Sequence, residues 1–297
     1  MKASIIIPVY NDPRIKSCIT SLLEQDFPGE LYEIIVVDNG SDLAIKEIIH
    51  NFPVHYVQEA RRGSYFARNR GLDIACGEIA AFIDADCVAD RAWLRNLVSS
   101  FKEENIGGVG GKILKQSAET WVQAAAEDLA EQQLTPQSFP FLPYPYIVTA
   151  NAAYRMSILR ELKGFDTQFQ SGGDVDLAQR VQDRKYHVLT MPEAIVYHAS
   201  RRTLKEYCKQ YFGYAVGHTL LFKKYHKTMK MRAFVNTYPL QGLLLLMLNW
   251  MNPFVLLKCM SSHMMTSSPK EFLKLVKYIV LIYGNLYGSV KHRVLFL

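Results

Sequence analysis

Two pairs of carboxylates stand out by their spacing, Asp84-Ala85-Asp86 and Asp174-Val175-Asp176. Carboxylates two residues apart at a strand end splay around one hard cation. A divalent ion held by one or two of them is commonly completed by substrate phosphates, the pattern of Mg2+ or Mn2+. Alone, such a pair is equally a solvated turn, so the surroundings must decide. Asp84 follows the apolar run Ile79–Ile83. Asp174 opens a helix-like stretch, where an acid is favoured by the helix dipole. Two more polar clusters, Tyr10-Asn11-Asp12 and Asp38-Asn39-Gly40-Ser41, also follow apolar runs. Trp93, Trp121 and the aromatic loop Phe139–Tyr146 are either a stacking wall for a ligand or packing. Gly107–Gly111 lacks the spacing of a dinucleotide fingerprint, and neither a P-loop nor a Ser/His/Asp or Cys/His set is present.

The elements that must position these residues alternate. Strand-like runs at Ser4–Val9, Tyr32–Val37, Val54–Gln58 and Glu78–Ile83 are separated by helical patterns at Pro13–Gln25, Ala44–Asn51 and Ser64–Cys76, with another at Arg91–Phe101. This predicts an α/β fold with a mostly parallel central sheet flanked by helices. Such sheets bind ligands beyond the carboxyl ends of their strands, where three polar clusters fall. Further on, the sequence predicts a strand around Gly107–Gly111, a helix over Ala118–Gln133, a loop over Thr135–Tyr146 and a strand at Ile147–Tyr154. After them come helices at Ser157–Leu162 and Asp174–Arg184 and a last strand at Ala194–Ala199.

The ordered set of motifs resembles the family 2 glycosyltransferases, inverting enzymes of the GT-A fold. It comprises Ile5-Ile6-Ile7-Pro8-Val9-Tyr10-Asn11, Ile34–Ser41, Ala67-Arg68-Asn69-Arg70-Gly71 and Gly77–Asp86, then Asn151–Arg155, Gly164-Phe165-Asp166, Gly173–Leu177 with Arg180, and Val196-Tyr197-His198. The resemblance covers roughly residues 3–199. It implies a donor pocket of Pro8, Tyr10, Asn11, Asp38, Arg68, Asn69, Asp84, Ala85 and Asp86, with Asp38 accepting from the base. It implies Mn2+ or Mg2+ held by Asp86 and His198, and Asp174 as catalytic base. Trp121, Asn151, Asp176 and Arg180 are expected on the acceptor side. Many members carry Glu-Asp where this chain has Gly173-Asp174, which leaves open whether Asp176 acts instead. The expected substrates are a nucleotide diphosphate sugar, UDP-sugar favoured, and a hydroxyl acceptor such as a sugar or lipid-linked sugar. Polysaccharide, glycolipid or glycoprotein assembly is the expected setting. A processive synthase would carry QxxRW, which Gln179-Arg180-Val181-Gln182 is not. A non-catalytic membrane-surface or sugar-binding module on the same fold is the alternative.

Composition splits the chain at residues 199 and 200, a catalytic domain followed by a tail. Residues 1–199 carry 19 Lys+Arg against 26 Asp+Glu, whereas residues 200–297 carry 15 against 2. The tail is apolar over Leu204–Lys224, Tyr238–Met260 and Phe272–Val290, without a clean uncharged run of spanning length. A helical tail of this kind suits an anionic membrane surface better than nucleic acid, with an oligomer contact as the other reading. No signal-peptide pattern opens the sequence, and the five scattered cysteines form no CxxC pair. The expected location is the cytoplasmic face of a membrane, as a peripheral protein.

Overall fold

The computed structural model describes residues 1–126, 141–228 and 269–296. The chain divides into two compact units, residues 1–116 with 128–199 and residues 117–127 with 200–297.

In the first unit, β1 (Ala3–Val9), β2 (Tyr32–Asp38), β3 (His55–Gln58) and β4 (Ile79–Ile83) are joined through α1 (Ile15–Leu23), α2 (Ile45–Ile49) and α3 (Ser64–Ile74). After β4 come β5 (Cys87–Ala89), α4 (Trp93–Ser99), β6 (Ile106–Lys115), β7 (Asn151–Arg155), α6 (Met156–Glu161), α7 (Gly173–Asp183) and β8 (His187–His198). The strands form one eight-stranded sheet in the order β3-β2-β1-β4-β7-β6-β8-β5. Ile5, Ile7, Val36, Ile79 and Ala81 lie within one buried cluster with Ile15, Ile19 and Leu22 of α1. These strands are buried on both faces, so they read as continuous apolar runs rather than as alternation. Pro8 lies opposite Val37, past the point where β4 stops pairing with β1 at Ile6, so its missing N–H breaks no ladder on that side.

The sheet is more mixed than the sequence suggests. β1, β2, β3 and β4 run parallel, but β7 is antiparallel to both β4 and β6, and β5 is antiparallel to β8. Three boundaries differ from expectation. β5 is too short to register as a period. β7 begins at Asn151, not Ile147. β8 starts at His187, because a register shift between Gly111 and Lys112 lets residues near Pro192 bulge out of an otherwise continuous strand. The glycines of β6 allow close approach: a Cβ at Gly108 would strike the Tyr154 ring, and one at Gly111 would strike the Ala194 carbonyl and the Asn151 amide.

The second unit contains α5 (Trp121–Ala125), α8 (Leu204–Tyr225) and α9 (Pro269–His292). The helix expected over Ala118–Gln133 is observed only as α5; it ends where Ala126 turns extended, and residues 127–133 lie outside the described set. The composition boundary puts α5 in the first unit. The structure puts it in the second, where Thr120 Oγ1 donates to the Arg202 carbonyl (2.9 Å) and Gln123 Nε2 to that of Ser200 (3.0 Å). Thr203 caps α8 in a capping box with Glu206. α8 and α9 approach through Gly284 and Gly288, where a Cβ would strike Ala215 and Thr219. The predicted apolar stretch Tyr238–Met260 lies outside the described residues. No helix among the described residues is long and apolar enough to cross a membrane.

Candidate active site

Strand direction decides which side chains meet. The carboxyl ends of β1, β2, β4, β6 and β8 lie on one edge of the sheet. Antiparallel pairing sets Cys87 of β5 opposite His198 of β8, which brings Asp86 beside the imidazole. Nε2 of His198 lies 3.5 Å from Oδ2 of Asp86, and an Arg14 guanidinium nitrogen lies 3.6 Å from the same oxygen. Arg14 is held in place by Asp12, which accepts from its Nε (2.8 Å) and its terminal nitrogen (2.6 Å). Asp86, Cys87 and His198 present ligand atoms within 4.8 Å of one another. Burial and the neighbouring carboxylates push the Cys87 thiol well above its ordinary value, so it stays protonated. The donor set that suits a hard cation is therefore the Asp86 carboxylate with the His198 imidazole, and these residues fit Mn2+ or Mg2+.

The other half of the first acidic pair faces a cation. Arg68, on α3 and 4 % exposed, donates to Asp84 Oδ1 at 2.6 Å. Its Nε is buried without a hydrogen-bond partner among the described residues, an orphaned donor beside the strand end. The Arg68 guanidinium lies 5.6 Å from the centre of the Tyr65 ring. The Tyr65 hydroxyl donates to Asp174 Oδ1 (3.3 Å) and accepts from the Gly173 N–H (2.9 Å) at the start of α7. A Cβ at Gly173 would collide with the Tyr65 ring, so the residue that departs from the family pattern is the one this packing requires. Burial pushes Asp174 above the usual carboxylate range; the Arg68 charge and the Val175 N–H pull the other way.

At the ends of β1 and β2, Asp38 is 3 % exposed and accepts from the Ser41 N–H (2.9 Å) and the Tyr56 hydroxyl (2.8 Å). It does not cap α2, which begins after Ala44 without a side-chain cap. Burial and the bond to Asp38 push the Tyr56 phenol up to about 12. The Asn11 carboxamide binds Asp42 and the Leu43 N–H, in a left-handed turn at φ 49°. Tyr10, half exposed, carries the Arg62 guanidinium 4.3 Å above its ring.

Several expected ligand-facing residues are structural here. Asn69 is spent on both backbone groups of Phe165 (2.8 Å each). Asn151, fully buried, accepts from Trp93 Nε1 and donates to the carbonyls of Lys112 and Ala194, tying β7 to its neighbours. Trp93 is therefore core. Asp176 is fully buried and paired with Arg180 Nε at 2.8 Å, and Arg180 also donates to the carbonyls of Leu162 and Gly164. Trp121 belongs to the second unit, with its ring 6.3 Å from that of Phe272. Ala85 is buried at the strand end and Pro8 half-buried. Arg14, Tyr56 and Tyr65 were not anticipated, because each acts on a residue distant in sequence; Asp12, noted only within a polar strand-end cluster, holds Arg14 two residues on.

The family model for glycosyl transferase family 2 matches residues 4–163, more than half of the chain. The chain belongs to glycosyl transferase family 2. Among known relatives, this glycosyltransferase is 31% identical over 205 residues to glycosyltransferase AglE of Haloferax volcanii, covering 67% of each chain. It is 24% identical over 238 residues to a dolichyl N-acetyl-alpha-D-glucosaminyl phosphate 3-beta-D-2,3-diacetamido-2,3-dideoxy-beta-D-glucuronosyltransferase of Methanococcus voltae, covering 74% of each. In structure it resembles the mannosyltransferase PcManGT of Pyrobaculum calidifontis in complex with GDP-Man and Mn2+. The TM-score is 0.65 at 21% identity, covering 97% of this chain and 88% of that one. S. aureus TarS in complex with UDP follows at a TM-score of 0.53, covering 73% of this chain and 65% of that one. At these identities the structural likeness speaks for the GT-A fold.

Proposed function

We propose that this glycosyltransferase transfers a sugar with inversion from a nucleoside diphosphate sugar to a hydroxyl acceptor, using a divalent cation. The observation that carries the reading is the edge where Asp84, Asp86 and His198 converge with Arg14 and Arg68. Such a mixture of acids and fixed cations suits a metal diphosphate, and structural neighbours hold GDP-Man with Mn2+ or UDP. Asp38 accepts an N–H of the base, and the Tyr10 ring stacks beside it. Asp86 and His198 hold the cation, which when bound offsets charge growing on the departing diphosphate. Arg68 steadies Asp84. Asp174 takes the acceptor's proton as its oxygen bonds to the anomeric carbon and the bond to diphosphate breaks. Asp174 is favoured over Asp176 because the latter is enclosed with Arg180.

The acceptor is a sugar or lipid-linked sugar, and the basic second unit keeps the enzyme on an anionic, cytoplasm-facing membrane surface. Support comes from the excess of 15 Lys+Arg over 2 acids in residues 200–297 and from apolar side chains exposed along α9. A donor-hydrolysis screen across UDP- and GDP-sugars with Mn2+ or Mg2+ tests the reading. One donor is expected to turn over, and Asp86→Ala to abolish it. Absence of metal-dependent turnover with every donor would overturn it.

A further inference from the structure

Oδ2 of Asp86 is approached by two groups at once, the His198 imidazole at 3.5 Å and the Arg14 guanidinium at 3.6 Å. An ion held by Asp86 and His198 would meet the carboxylate that Arg14 already faces. Arg14 cannot swing away without cost, because Asp12 grips it with two hydrogen bonds of 2.8 and 2.6 Å. Its backbone N–H also bonds Asp12 Oδ1 at 3.0 Å. The Arg14 side chain is about one-third exposed, and that of Asp86 is 7 % exposed, so solvent screens their interaction poorly at the Asp86 end.

We propose that Arg14 is a resident counter-cation that makes divalent-ion binding conditional on the donor's diphosphate. This rests on the assignment of the cation to Asp86 and His198. Before donor binds, the guanidinium partly neutralises Asp86 and repels an arriving dication. When the diphosphate arrives, its negative charge satisfies both the guanidinium and the ion, so each raises the affinity of the other. Linkage requires the effect to be reciprocal. The arrangement keeps the metal from occupying the site unproductively. It also makes Arg14 a positioning residue for the diphosphate.

Mn2+ binding, read by the electron paramagnetic resonance signal of the free ion, tests this without turnover. In the wild type, saturating UDP or GDP is expected to raise Mn2+ affinity about 10-fold or more, within the usual range of coupling free energies. Arg14→Met is expected to bind Mn2+ alone about 10-fold more tightly and to lose most of that enhancement. Arg14→Lys, which keeps the charge, should keep it. Arg14→Gln, able to bond Asp12 still, replaces the Met variant should the latter not fold. Unchanged or weaker Mn2+ affinity in the neutral variants overturns the inference alone. If no protein form binds Mn2+ and Asp86→Ala makes no difference, the metal assignment itself falls, and this inference with it.

Discussion

At the scale of single residues, Asp174 and Asp176 show how two acids of one motif acquire different properties. Asp174 sits at the start of α7 with Tyr65, and its carboxyl is held above the ordinary range by burial. A base must be unprotonated, so activity should fall as pH drops through this raised value. The acid limb of a kcat/KM profile is expected above the usual carboxylate range. Arg68 lowers the Asp174 value, so Arg68→Met should move that limb to higher pH. Asp174→Asn should cost ~10³-fold in kcat, within the range for loss of a general base, with the melting temperature little changed. Asp176→Asn should behave differently, leaving Arg180 without its buried partner and costing about 3 kcal/mol in urea denaturation. A normal midpoint with lost turnover would instead make Asp176 the base. The positions of Asp38, Asp84 and Asp86 at or just past strand ends were legible in the sequence because a strand end is a local signal. Arg14, Tyr56 and Tyr65 were not, since only the sheet order shows what they touch. The bonds of Asn69 and Asn151 to backbone groups were not legible, because a family motif does not say whether an amide faces a ligand or a carbonyl.

Elements carry the next layer. The β-branched runs of β1, β2 and β4 announced themselves, as did the helices between them. β5 and the first half of β8 did not, because three residues make no period and Pro192 interrupts the other. Gly111 marks the seam between these regions: its Cα faces the Ala194 carbonyl and the Asn151 amide across the β6–β8 register shift. Gly111→Ala has nowhere to put its methyl except against backbone. It should destabilise the first unit by about 3 kcal/mol, at the upper end for overpacking. Denaturant midpoints by near-ultraviolet circular dichroism read the loss directly; an unchanged midpoint would show that β6 and β8 can move apart.

For the whole molecule, charge asymmetry was plain from composition, whereas the exposed apolar stripe of α9 emerged only from helix packing. α9 packs one side against α8 and leaves Ile279, Tyr283, Leu286, Tyr287 and Val290 exposed, Tyr283 at 67% and Val290 at 81%. These positions recur at helical spacing, as on a helix lying in an interface. Paired Tyr283→Glu and Val290→Glu changes should weaken binding to phosphatidylglycerol vesicles at least about 10-fold, since each removes apolar contact and adds repulsion. Binding of the wild type to phosphatidylcholine vesicles should be much weaker and insensitive to salt. Equal binding of wild type and variant in sedimentation would assign this stripe to another partner.

The register that sets Cys87 opposite His198 also has a meaning in time. Among the described residues, β5 is an edge strand paired with β8, and β8 is the last strand of the sheet in chain order. A chain emerging from the ribosome thus holds Asp86, and Arg14 that faces it, long before His198 exists to stand beside them. Fragments that end early, by premature termination or proteolysis before β8, lack the imidazole and leave β5 unpaired. Such fragments should be inert, not leaky hydrolases that drain the cell's activated sugars.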